Sequence, residues 1–293
     1  MVYALILAVV AIVVLIIATI TDLRTREVPD WLSYGLVFLG LGINLIFSLI
    51  YWDYSFIVNS LAGFTLFLIL ALAMFYTGQW GGGDSKVLIG LGALIGLDIM
   101  FFKSWEIPFL FDFFINILLV GALYGLLWSL SLIFRNLKGF RREFKKILVK
   151  GKVKRFKRIL FAFVIVMLLL ALYKSGSILS FVFVSILVVS LVIFYLGIAV
   201  KAIEKACMVK SVVPSKLTEG DWIVKDIKHK GKYICGPKDL GIEKKQIREL
   251  VKLYKQNKIK RVLIKEGIPF VPSFLFAYVL TLFFGNLLFL LLV

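Results

Sequence analysis

The residue types on which most reactive centres are built are nearly missing from this 293-residue chain: it has two cysteines, Cys207 and Cys235, and one histidine, His229. The cysteines form no Cys-x-x-Cys pair and no other ligand cluster accompanies them, so neither a zinc site nor a disulfide framework is legible. His229 lies in Lys228-His229-Lys230-Gly231 and reads as a solvated residue of a hairpin turn between strand-like runs, Trp222 to Ile227 and Lys232 to Cys235. A Ser/His/Asp triad needs a base within hydrogen-bond reach, and the lone histidine is poorly placed to be one. Acids are also scarce, 17 against 35 basic residues, for a net charge of +18.

What is abundant is apolar surface. Hydrophobic residues make up 61% of the chain and mean hydropathy is +0.99, well above the roughly 45–50% apolar content of a globular domain. The sequence therefore specifies a mainly α, polytopic membrane helix bundle. Eight apolar segments are expected to span, near 2 to 20, 32 to 50, 56 to 76, 87 to 102, 110 to 134, 159 to 173, 178 to 200 and 269 to 293. Most satisfy the length of roughly 17–25 residues that a bilayer requires. The weakest are 87 to 102, interrupted by Asp98, and 159 to 173, which is short. The first has no basic leader before it and reads as a retained helix rather than a signal peptide.

Charge orients the bundle. With the N-terminus outside and eight crossings, the inner segments hold 33 of the 35 basic residues, including 12 in 135 to 158 and 18 in 201 to 268, and only Lys103 and Lys174 fall outside. By the positive-inside rule these segments are cytoplasmic. The same basic loops attract anionic lipid headgroups, about 1 kcal/mol per residue near the surface; runs such as Arg141-Arg142-Glu143-Phe144-Lys145-Lys146 could also neutralise nucleic-acid phosphates, which is the weaker reading. Residues 201 to 268 read as a small cytoplasmic α+β domain with a helix from Glu243 to Lys255, whose apolar face is Ile247, Leu250, Val251 and Tyr254. The linker 135 to 158 alternates basic residues with Phe140, Phe144, Ile147 and Phe156, as an interfacial helix does.

Two acids break the apolar pattern on one membrane face. Asp22 closes the first segment in Thr21-Asp22-Leu23-Arg24, and Asp84 follows Gly81-Gly82-Gly83 at the mouth of the fourth. An ionisable group at membrane depth is costly and is by default a functional-site hypothesis. Two carboxylates that share a proton can hydrolyse a peptide bond: the ionised one draws a proton from water while the protonated one polarises the carbonyl. Gly81 and Gly83, lacking Cβ, would let the backbone turn sharply and a substrate strand approach Asp84. Each acid also has a plainer reading, Asp22 as a helix-end charge paired with Arg24 or Arg26, and Asp84-Ser85 as an N-cap. Asp53, Asp98 and Asp112 fall at the outer face, and Glu27 and Asp30 read as solvated.

These residues resemble the type IV prepilin peptidases, within them the archaeal prepilin and preflagellin peptidases of the GxGD aspartyl protease class. Gly81-Gly82-Gly83-Asp84-Ser85-Lys86 matches the family's Gly-x-Gly-Asp followed by lysine, and Thr21 to Asp30 is similar to the loop bearing its first aspartate. Ile264-Lys265-Glu266-Gly267-Ile268-Pro269-Phe270-Val271-Pro272-Ser273-Phe274 resembles the archaeal C-terminal region. The resemblance implies that Asp22 and Asp84 are the catalytic pair, that no cofactor or metal is used, and that the substrates are prepilin-like precursors with short basic leaders, cut at the cytoplasmic face. Bacterial members that also N-methylate commonly carry a four-cysteine zinc module, so methyl transfer is not supported here. Usual archaeal members have six spans, so 135 to 158 and the pair 159 to 200 read as an insertion between a core, 1 to 134, and the parts 201 to 268 and 269 to 293. Two other readings stay open: a signal-peptide-peptidase-like enzyme, although Thr21 stands where that group has tyrosine, and an ion-coupled transporter using both carboxylates around broken helices.

Overall fold

The computed structural model describes residues 2–100 and 107–292. Six helices among them are long and apolar enough to cross a membrane. They are α1 (Val2–Thr25), α2 (Asp30–Tyr51), α3 (Ser55–Tyr76), α5 (Phe109–Arg135), α7 (Gly151–Tyr173) and α8 (Ile178–Ile203). The protein is a polytopic membrane helix bundle with a small α+β domain.

Two further apolar helices are short. α4 (Gly82–Ile95) and α10 (Val271–Phe284) each have 14 residues, about 21 Å of helix against a hydrocarbon core of ~30 Å. Both are lined by protein rather than left to lipid: Val87, Leu88, Leu91 and Leu94 of α4 and Val271, Phe274 and Ala277 of α10 are buried. α4 wedges between α2 and α3 by small-residue packing. A Cβ on Gly63 would stand 2.4 Å from the Gly92 carbonyl oxygen, and one on Gly40 would stand 2.6 Å from Leu94 N; only bare backbones approach so closely. The carbonyls at the end of α4 would be orphans in lipid. Ser60 Oγ donates to Ala93 O (2.5 Å), and Asn44 Nδ2 donates to Gly40 O (2.8 Å) and reaches Leu94 O (3.3 Å). Tyr3 Oη donates to Asn44 Oδ1, tying the start of α1 to the same end.

Each of the eight expected apolar segments holds a helix, with three shifts of boundary. The segment expected at 159 to 173 begins at Gly151, so eight residues assigned to the linker belong to α7, and that helix is not short. Lys152 to Arg158 are exposed or half-exposed, and a helix leaving the bilayer continues through them without cost. The segment 269 to 293 breaks after α10 at Gly285, φ +63°, before α11 (Leu287–Leu292). The segment expected at 87 to 102 starts earlier, at Gly82, and its helix ends at Ile95, before Gly96 with φ +75°; residues 101 and 102 and Lys103 lie outside the described residues.

The remainder of the linker is α6 (Leu137–Val149), an amphipathic helix as expected, but its apolar face is not free for lipid. Phe140, Phe144 and Ile147 pack on Phe194, Ile198 and Ala202 of α8. Phe156 stacks on Phe194 from α7 instead.

After a π-turn at Glu204–Met208, the small domain is built from β1 (Val209–Val212), β2 (Trp222–Ile223), β3 (Ile227–His229), β4 (Lys232–Cys235), α9 (Lys244–Lys255) and β5 (Val262–Lys265). β5 runs antiparallel between β1 and β2, and β3 and β4 form a separate hairpin. The expected strand Trp222 to Ile227 is thus two strands in two sheets. The hairpin turn is Lys230-Gly231, both with positive φ, and His229 is the last residue of β3, paired with Lys232. α9 starts as expected, with Gln246 Oε1 accepting from the Glu243 N–H at 2.8 Å. Its buried residues are Leu250 and Leu253, with Ile247 beside them; Tyr254 is exposed.

Candidate active site

Asp22 lies in the last turn of α1, only 6% exposed. Its Oδ2 accepts a hydrogen bond from the Val271 N–H at 3.0 Å. That amide is the first of α10, held in place by Pro272 behind it. A helix leaves its first N–H groups without intrahelical partners, so Asp22, from 249 residues away, serves as the cap of α10.

Asp84 is the third residue of α4, and its Oδ2 accepts from the Gly81 N–H at 3.0 Å. It is not itself the N-cap; Gly81 is, with φ −74° and ψ 166°. Gly82 and Gly83 already belong to the helix, and none of the three has positive φ. The expected sharp turn lies earlier, at Gly78, φ +70°. A Cβ at Gly83 would meet Val28 N at 3.4 Å, and one at Gly81 would meet Asp84 Oδ2 at 3.3 Å. The glycines thus bring α4 close to the chain leaving α1.

The two carboxylates are electrostatic neighbours: Asp22 is the charged group that acts on Asp84. Both end at helix N-termini, where backbone N–H groups are free to donate. Trp80, just before the glycines and 5% exposed, ties the entry of α4 to α5 and α10 by edge contacts with Phe114 (6.5 Å) and Phe274 (5.3 Å) and a tilted contact with Phe270 (5.9 Å).

The plain pairing of Asp22 with Arg24 or Arg26 is not what forms. Arg26 is the nearby positive charge, but its Nη1 donates to Gly267 O at 2.6 Å and its guanidinium lies over the Trp128 ring at 5.4 Å. Arg26 takes φ +62°, and its N–H closes α1 on Asp22 O, the left-handed helix ending that glycine usually supplies. The residue thereby clamps the connection between β5 and α10 across the site. Asp30 is exposed, as expected, and pairs at the surface with Lys86 at 2.5 Å. The small domain reaches the same place: Trp222 covers Gly78, 3.3 Å from where its Cβ would be.

Asp53, Asp98 and Asp112 lie at the opposite end. Asp53 and Asp98 cap local turns at Ser55 and Met100, and Asp112 accepts from Asn286. A cleft of about 810 Å³ at that end is lined by Tyr3, Asp53, Asn59, Asp98 and Phe109 and touches neither Asp22 nor Asp84. Among the described residues no three His, Cys, Asp or Glu side chains are grouped as metal ligands. Neighbours that the sequence did not flag are Val271, whose partner is remote in the chain, and Tyr124, Trp128 and Phe114 on α5, apolar-run aromatics with no local mark.

The type IV leader peptidase family matches residues 9–130. The chain is 44% identical over 81 residues to a preflagellin peptidase of Methanococcus maripaludis, covering 28% of this chain and 35% of that protein. It is 42% identical over 81 residues to a preflagellin peptidase of Methanocaldococcus jannaschii, covering 28% and 34%. It is also 33% identical over 128 residues to a prepilin leader peptidase/N-methyltransferase of Pectobacterium carotovorum, covering 42% and 39%. The matched stretches thus span about a third of each preflagellin peptidase's length. Residues 9–130, which hold Asp22, Asp84 and the glycines before it, match the type IV leader peptidase family, and the resemblance read from the two aspartate motifs is borne out.

Proposed function

We propose that this protein is a membrane-embedded aspartic endopeptidase that removes the short basic leader of prepilin- and preflagellin-like precursors at the cytoplasmic edge of the membrane. The observation that carries the reading is that Asp22 and Asp84, at the N-termini of α10 and α4, are electrostatic neighbours, and both lie inside the segment that matches the leader peptidases. The names of the preflagellin peptidase relatives supply the substrate class. The distribution of basic residues supplies the face.

The chemistry follows from two carboxylates that hold one proton between them. Water adds to the scissile carbonyl carbon, giving its proton to the ionised aspartate, while the protonated partner passes its proton to the carbonyl oxygen. The resulting gem-diol collapses: the C–N bond breaks, the leaving nitrogen takes a proton from the first aspartate, and a diol hydroxyl returns one to the second. The dyad ends as it began, with no cofactor consumed. The Val271 and Gly81 N–H groups each donate to Oδ2 of their carboxylate and hold the pair in place for water and substrate. A precursor whose scissile bond lies just before its own apolar helix can meet a dyad at that depth with the helix still in lipid, where its backbone bonds stay satisfied. Methyl transfer, in the name of the Pectobacterium relative, is not assigned to this chain.

The test is to incubate the purified full chain in detergent, without ATP or added metal, with a precursor whose basic leader precedes an apolar helix. Mass mapping is expected to find one cut at the leader boundary. A folded protein that leaves the precursor whole overturns the reading.

A further inference from the structure

Three buried side-chain oxygens among the described residues lack a hydrogen-bond partner: Thr19 Oγ1, Ser33 Oγ and Tyr124 Oη. Leaving a buried polar group unpaired costs about 1–3 kcal/mol. A threonine or serine in a helix can rotate its hydroxyl to a carbonyl one turn back, so the first two can be relieved locally. A phenol cannot reach its own backbone. Tyr124 therefore holds a donor that the free protein does not use.

Its position is fixed by α5. Gly121, three residues earlier, is covered by Phe270, whose ring atom would stand 2.4 Å from a Cβ there. Trp128, four residues later, packs on the Tyr124 ring with centroids 5.8 Å apart and carries the Arg26 guanidinium on its face. Residues 121, 124 and 128 share one helix face, and that face meets the residues around Asp22. The charges that act on the Tyr124 phenol are Asp22 and Arg26. Arg26 is spent on Gly267 O, and the Asp22 oxygen that accepts within the protein takes the Val271 N–H. An uncommitted O–H donor thus stands on the helix face that meets Asp22 and its neighbours.

We propose that Tyr124 is a further catalytic residue, whose hydroxyl donates to the scissile carbonyl oxygen of the bound precursor and holds that oxygen while water adds to the carbon. The assignment rests on the endopeptidase reading. The phenol transfers no proton; it stabilises the oxygen as its bond order falls, where a preorganised donor in a dry site is most effective.

Tyr124→Phe removes the oxygen and keeps the ring against Trp128. Initial rates on the precursor are expected to show kcat lower by about 100-fold, as for the loss of one such donor, with KM little changed. The thermal midpoint should not fall, because no hydrogen bond of the free protein is lost. Cleavage by the variant within about threefold of wild type overturns the assignment, as does a loss of activity accompanied by a lower midpoint, which would make the hydroxyl structural. Failure of the wild-type chain to cleave overturns the endopeptidase reading itself, so the two failures are told apart by the wild-type lane.

Discussion

Gly83 shows how little room is left around Asp84. Its torsions are ordinary, so what a side chain would meet there is Val28, at 3.4 Å from N and 3.5 Å from Cβ. Gly83→Ala should stay within a few-fold of wild-type turnover. Gly83→Val adds branches against a buried neighbour, an overpacking of about 1–3 kcal/mol, and should cut turnover by about tenfold or more. Equal losses in purified, folded variants, read as initial cleavage rates, would contradict this steric account. The small domain offers a second residue-scale test. Burial pushes the Cys235 thiol up to about 11, and the thiolate is the reactive form. With its pKa raised, Cys235 stays a thiol through neutral pH and becomes reactive only in strong alkali; maleimide at about pH 7 should label it in denatured but not native protein. Native labelling at the denatured rate would refute the buried placement. At this scale the sequence disclosed the acids, because a charge at the edge of an apolar run is costly wherever it sits. It could not disclose that Val271 N–H is the partner of Asp22, since nothing local to Thr21-Asp22-Leu23 records a contact 249 residues away.

α4 is the element on which the site depends, and its stability comes from contacts rather than length. Gly63 and Gly92 let it lie against α3, while Ser60 and Asn44 take the carbonyls at its end. Gly63→Val places a branched side chain 2.4 Å from the Gly92 oxygen. That should destabilise the folded protein by about 1–3 kcal/mol or more and shift α4 with Asp84. The check is a thermal melt in detergent together with the cleavage rate: both should fall, and an unchanged midpoint would show that the helices separate without cost. That these segments are helices was plain from their hydropathy. Their lengths were not, because Lys152 to Arg158 mark the membrane edge without ending α7. Gly96, at φ +75°, ends α4 early although the apolar run continues to Leu97. The unbroken strand-like run from Trp222 to Ile227 likewise concealed that β2 joins β5 while β3 joins β4.

Across the whole molecule the chain closes on itself around the site: α1, α4, α5 and the β5–α10 connection all deliver residues to one end of the bundle. α6, α7 and α8 deliver none, and their two ends meet, since Asn136 Nδ2 donates to Ala206 O at 2.8 Å. Replacing residues 137–203 with a short Gly/Ser linker removes two crossings and preserves the sidedness of the rest. The shortened protein should insert and cleave within a few-fold of the full chain; loss of cleavage by a folded product would give the hairpin a place in the reaction. The central claim is that Asp22 and Asp84 of one chain act as a single unit. Its most direct test compares initial cleavage of the same precursor by purified wild type, Asp22→Asn, Asp84→Asn, the double variant and an equal mixture of the two single variants. Groups that act as a unit are not additive, so each single variant should lose at least about 1,000-fold, the double variant should lose no more, and mixing should restore nothing. Substantial cleavage by either single variant with intact folding, or recovery in the mixture, would contradict the account.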